Sequence, residues 1–99
     1  MAVMMLMRWA SVTPEQYDEA RERAGWERNP PTGGIFHVAA FADDALHVTD
    51  VWESAEDFQR FADDRLMPVV KELGIAGEPD VTILPAHSVF APAYEGARA

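Results

Sequence analysis

Apolar positions along this chain fall into two kinds of pattern. Met4, Met5, Leu6 and Met7 run together near the N-terminus, and Ile35, Phe36, Val38, Ala39, Ala40 and Phe41 crowd a second segment. A strand wetted on one side alternates apolar with polar residues, whereas a strand covered on both sides does not. Ala2 to Trp9 and Ile35 to Phe41 therefore read as strands that need cover on two faces. Leu46 to Trp52 is a third strand, joined to the second as a hairpin through Ala42-Asp43-Asp44-Ala45. Asp80 to Leu84 is a fourth, expected to run beyond Pro85 towards Phe90.

The other apolar residues follow a helical period. Tyr17, Ala20 and Ala24 make a narrow stripe. Thr13-Pro14-Glu15-Gln16 opens that helix with a cap, a first-turn proline and a capping box, and Gly25 closes it. Phe58, Phe61, Ala62 and Leu66 stripe a second helix, opened by Ser54-Ala55-Glu56-Asp57 as another capping box. Pro68 is expected to break or kink it, leaving Val69 to Leu73 as a short further turn ended by Gly74. Trp26 to Gly34 is a loop, because Asn29-Pro30-Pro31 and Gly33-Gly34 prevent regular structure. Its tryptophan either folds back onto the core or walls a pocket.

The order β-α-β-β-α-β predicts a ferredoxin-like α+β fold, an antiparallel four-stranded sheet with both helices on one face. Two helices leave the second face bare. A second copy of the chain is expected to cover it, giving a homodimer that buries on the order of 800 Å² per partner. Residues 1–90 form the single domain and residues 91–99 a C-terminal tail, loose or wrapped on the partner.

Composition narrows the partners. A chain of 99 residues without cysteine has no disulfide to add to a modest core, which favours stabilisation by a dimer. A net charge of −9, with Lys and Arg scattered from Arg8 to Arg98, argues against nucleic acid and acidic membrane surfaces. The apolar stretch Ala2 to Leu6 is too short to span a bilayer and lacks the marks of a signal peptide, so a cytoplasmic location is expected.

One of the three histidines has an evident partner. If Phe41 pairs with Leu46, His37 stands opposite Asp50 and shares a sheet face with Ile35, Ala39, Phe41, Leu46, Val48 and Trp52. A three-residue loop with a bulge would instead pair Ala42 with Leu46 and turn Asp50 away. Ala45 suits the left-handed position of such a loop poorly, which favours the first register. A His–Asp pair among apolar residues is a general acid/base unit, because the carboxylate fixes the imidazole tautomer and stabilises its charged form. It is equally a structural hydrogen bond that satisfies two buried polar groups. Trp9, Tyr17, Trp52, Phe58 and Phe61 can line one space between sheet and helices, or fill the core. His87 lies past Pro85, where it can approach a pocket or the partner, and His47 faces away from His37. No HxH, HxxxH or HExxH spacing indicates a metal, and Gly33-Gly34 precedes a strand rather than a helix, so it is no dinucleotide fingerprint.

The run Val51-Trp52-Glu53-Ser54, followed by Phe58 and Phe61, resembles the strand-to-helix junction of the antibiotic-biosynthesis-monooxygenase-like proteins of the dimeric α+β barrel superfamily. The resemblance extends from about Met4 to Phe90. His37, Trp52 and Pro85-Ala86-His87 stand where small bacterial members carry an early His, a "WES" junction and a late Pro-x-His segment. The superfamily includes cofactor-independent quinone-forming monooxygenases, haem-degrading enzymes, polyketide cyclases, lactone isomerases and stress-response proteins, so fold analogy selects no reaction. The haem-degrading pattern is missing: the first strand has no Asn, Phe61 takes the place of a helical Trp, and the His place falls near Lys71.

The resemblance implies a small cofactor-independent enzyme of monooxygenase or cyclase/isomerase type, acting on an apolar aromatic or polyketide-like molecule. His37 would be its acid/base and Asp50 would orient it, with Trp52, Phe58, Phe61, His87 and Tyr17 at the substrate; neither cofactor nor metal is expected. The competing reading is a non-catalytic dimeric ligand-binding or stress-response module in which the pair is structural. A cavity of roughly 300 Å³ or more reached by His37 favours the enzyme, and a solid core favours the module.

Overall fold

The computed structural model describes residues 1–92. Its elements are β1 (Val3–Ala10), α1 (Pro14–Ala24), β2 (Gly34–Ala42), β3 (Ala45–Trp52), α2 (Ala55–Phe61), a π-helical stretch (Ala62–Leu66), α3 (Met67–Leu73) and β4 (Asp80–Pro85). The strands form one antiparallel sheet in the order β2-β3-β1-β4, which is the ferredoxin-like arrangement. From residue 93 onwards the expected tail lies outside the described residues.

Local chemistry explains most boundaries. The Thr13 side chain accepts from the Gln16 N–H at 3.1 Å, the Gln16 side chain accepts from the Thr13 N–H at 3.0 Å, and Gly25 ends α1 in the left-handed conformation. Ser54 caps α2 by accepting from the Asp57 N–H, but the Asp57 carboxylate meets Arg60 at 3.0 Å, so a reciprocal box like that of α1 is not formed. Pro68 does not break the second helix. The ladder widens to i→i+5 over Ala62–Leu66 immediately before it, which accommodates the missing N–H and the bulk of the ring. The last strand stops at Pro85 rather than continuing towards Phe90; Ala86 donates one bond to the Ala2 carbonyl and no regular ladder follows.

The hairpin register is the favoured one. Ala42 pairs with Ala45, Phe41 with Leu46 and His37 with Asp50. Asp43 and Asp44 take φ of 54° and 57°, the two left-handed positions of a two-residue type I′ turn. The irregularity lies at the other end of β2: Gly34 opposes Trp52 and Phe36 opposes Val51, so Ile35 is an extra residue in a bulge. Gly33 precedes it with φ +83°, and a side chain there would run into Asp57.

The helix-side face carries the core. Met5, Trp9, Leu46, Val48 and Trp52 of the sheet meet Phe58, Phe61, Ala62 and Val70 of the helical layer, all buried. Burial of each such large side chain stabilises the fold by roughly 1.5–3 kcal/mol. The other face is graded rather than uniformly apolar. Phe36, Val51, Met4 and Leu84 form one row across the four strands; Val38, Thr49, Leu6 and Thr82 form the next; Ala40, His47, Arg8 and Asp80 form the third. Only one end of this face is greasy.

The turn can be tested directly. Replacing Asp43-Asp44 by Asn-Gly should raise the free energy of urea unfolding by up to about 1 kcal/mol, because it relieves left-handed strain and adjacent like charges. A clear loss of stability would show that this turn does not hold the register.

Candidate functional site

β3 supplies the anchor of the site. Asp50 and Trp52 stand two residues apart on one strand and so point to the same, helix-covered face. Asp50 is the one buried charged residue among those described, at 6% exposure. Its Oδ2 accepts from the Trp52 indole N–H at 3.0 Å and its Oδ1 from His37 Nδ1 at 2.7 Å. An ionised carboxylate only accepts, so Nδ1 carries hydrogen and, in the neutral ring, Nε2 holds the free lone pair. That lone pair accepts from the Tyr17 hydroxyl at 2.7 Å. Every buried side-chain nitrogen and oxygen among the described residues has a hydrogen-bond partner.

Aromatic packing holds this chain in place. The capping box fixes the start of α1 and places Tyr17 one turn in, over His37. The Tyr17 and His37 rings lie nearly parallel, 5° apart, with centroids separated by 6.1 Å. Trp26 folds back from its loop against His37 at 5.3 Å, Tyr17 at 5.9 Å and Phe61 at 6.2 Å. Trp52 packs on Phe58 and Phe61 at 5.6 and 5.7 Å. Burial pushes the Tyr17 phenol above its ordinary value of 10.0, and the Glu27, Asp50 and Asp18 carboxylates add to the rise against the opposing Arg21.

A cavity of about 270 Å³ lies between sheet and helices, slightly below the 300 Å³ anticipated. Its wall includes Met5, Met7, Trp9, Tyr17, Trp26, His37, Asp50, Trp52, Phe58, Phe61 and Leu66. Tyr17, His37 and Asp50 are its ionisable side chains, and they form a single hydrogen-bonded cluster in an otherwise mainly apolar surface. The His37 side chain is one-third exposed, at 33%, so it stands where the cavity meets solvent.

Six of the seven anticipated site residues thus come together: Tyr17, His37, Asp50, Trp52, Phe58 and Phe61. His87 does not join them. It lines a separate cavity of about 740 Å³ with Met4, Phe36, Val51, Leu84 and Phe90, residues that include the greasy row of the opposite sheet face. His47 also lies on that face and contacts the Ala42 carbonyl at 3.2 Å. Sequence reasoning missed the Trp52–Asp50 and Tyr17–His37 bonds. The first was legible in the two-residue spacing; the second depends on how α1 seats against the sheet. No group of three metal-binding side chains occurs among the described residues.

Fold and site together define a class: small ferredoxin-like α+β proteins with an aromatic-lined cavity between sheet and helices. The fold is that of the antibiotic biosynthesis monooxygenase-like proteins. Among solved structures, a variant of SnoaB, a cofactor-independent oxygenase from Streptomyces nogalater, superposes with a TM-score of 0.65 at 16% identity, covering 89% of this chain and 95% of that one. A candidate antibiotic biosynthesis monooxygenase from Caulobacter crescentus gives 0.65 at 14% identity, covering 88% of this chain and 91% of that one. Rv0793 from Mycobacterium tuberculosis gives 0.64 at 11% identity, covering 92% and 100%. At these identities the likeness is one of fold. No protein-family model matches the sequence, and no curated protein matches it significantly.

Two outcomes follow from the site. Asp50→Asn offers one acceptor and one donor where the carboxylate offered two acceptors, so it should cost about 1–3 kcal/mol of stability and move the His37 ring proton to Nε2. Nitrogen NMR of the imidazole reads that tautomer, and an unchanged spectrum would refute the bonding assigned here. Alkaline titration gives the second. The folded phenol of Tyr17 keeps its proton to higher pH than the unfolded one, so the unfolded chain releases protons first. Stability should hold below about pH 10 and fall as pH rises beyond it, most visibly when native protein is compared with Tyr17→Phe.

Proposed function

We propose that this protein is a small cofactor-independent enzyme that removes a proton from an apolar aromatic or polyketide-like molecule held between sheet and helices. The observation that carries this reading is the Trp52–Asp50–His37 hydrogen-bonded chain ending at the wall of an apolar cavity. His37 is the acid/base. Asp50 fixes its tautomer and stabilises the imidazolium that forms, and the Trp52 N–H holds Asp50 in turn. Trp52, Phe58 and Phe61 give the ligand a flat apolar wall. Oxygenation and cyclisation or isomerisation can all begin with this abstraction. That SnoaB is described as a cofactor-independent oxygenase favours the first.

The same reading includes a homodimer. Phe36, Val38, Leu84 and Leu6 on the open sheet face are 51, 47, 43 and 38% exposed, and a second copy laid on that face would withdraw them from water. The competing module, in which the pair is structural, draws support from the complete satisfaction of buried polar groups and from the modest cavity. Among the described residues no helix is long and apolar enough to cross a membrane.

Polycyclic phenols and enolisable aromatics incubated with the protein in air provide the test. His37→Ala should lower turnover by about 10²–10⁴-fold while ligand binding survives. Native-like turnover in the variant would exclude His37 as the base, and absence of turnover in both proteins would favour the binding module. Sedimentation at micromolar concentration should give twice the protomer mass; a stable lone protomer would remove the dimer.

A further inference from the structure

If His37 is the base, its working atom is already occupied. Nδ1 is committed to Asp50, and the remaining lone pair, on Nε2, accepts the Tyr17 hydroxyl at 2.7 Å. A ligand proton therefore reaches His37 either after Tyr17 swings away or through the Tyr17 oxygen. Packing favours the second route. The Tyr17 ring is wedged edge-on against Phe41 at 6.2 Å, tilted against Trp26 at 5.9 Å and laid parallel to His37. Displacing it would break all three contacts, whereas passing a proton through it moves no heavy atom far.

We propose that Tyr17 is a further catalytic residue, which receives the ligand's proton on its hydroxyl oxygen while handing its own proton to His37. This rests on the reading of the cavity as an acid/base site. In the step, an O–H or activated C–H bond of the ligand breaks, and its electron pair stays on the ligand as a phenolate or enolate. The proton joins Tyr17 Oη, the former Tyr17 proton joins His37 Nε2, and the imidazolium is paired with Asp50. Tyr17 begins and ends as a neutral phenol. That agrees with burial, which disfavours its anion; a tyrosine acting alone would have to become a phenolate in this setting.

2-Naphthol is a suitable probe. It is an apolar aromatic alcohol that becomes a far stronger acid on excitation, and its emission distinguishes naphthol from naphtholate. Bound to the native protein it should emit as naphtholate. Tyr17→Phe should cut the naphtholate-to-naphthol ratio at least about tenfold, with affinity held within about threefold, and His37→Gln should do the same. If Tyr17→Phe keeps the native ratio while His37→Gln loses it, the relay is wrong and the His37 base stands. If both variants match the native protein, or 2-naphthol does not bind, the acid/base reading itself fails and the relay with it. Bound naphthol that keeps its proton in the native protein overturns the relay as well. A second measurement needs no variant. Transfer rates in native protein should curve with the deuterium content of the solvent, because two protons move together; a straight line would overturn the relay.

Discussion

A carboxylate inside an apolar core is costly unless its lone pairs meet donors, and Asp50 is such a carboxylate. Its two donors come from different places. Trp52 stands two residues along the same strand, and His37 stands directly opposite on the neighbouring one. Losing either donor leaves a buried acceptor unpaired. The requirement therefore couples the β2–β3 register, the inward turn of the Trp52 indole and the tautomer of His37 into one arrangement. The aromatic layer of the helices then closes over it.

Several backbone devices serve that arrangement. The two left-handed aspartates of the hairpin turn set His37 against Asp50, and slipping by one residue would send Asp50 to the other face. At the far end of β2 the bulge at Ile35 takes up the extra residue, so the shift never reaches the His–Asp pair. The π-helical stretch leads the chain into Pro68 without ending the helical layer, and Leu66 and Val70, on either side of the proline, both line the cavity. Each is a local departure from regular geometry that leaves the surroundings of Asp50 intact.

The sheet divides its labour between faces. One encloses the cavity with its cluster of three ionisable groups; the other carries rows that pass from wholly apolar to largely polar. This grading accounts for the second histidine region. His87 sits by the apolar row together with Phe90, outside the sheet and on the side away from His37. The fold is shared with other proteins, but the side chains gathered at the cavity are set by this chain's own register and packing.

Much of this molecule was legible in its residues taken in order. Apolar runs, helical spacing, caps at Thr13 and Ser54, and stops at Gly25 and Gly74 are local signals that gave the element order, and the poor fit of Ala45 to a left-handed position gave the hairpin register and with it the meeting of His37 with Asp50. Three features were decided only in three dimensions. Seating α1 on the sheet brought the Tyr17 hydroxyl to His37; curling the chain past Pro85 took His87 to the opposite face; and widening the helical ladder over Ala62–Leu66, just before Pro68, kept the second helical segment whole. Sequence determines which faces must be buried, because apolar spacing acts along a single element. Which side chains meet across elements depends on how those faces are brought together, and only the packed structure sets that.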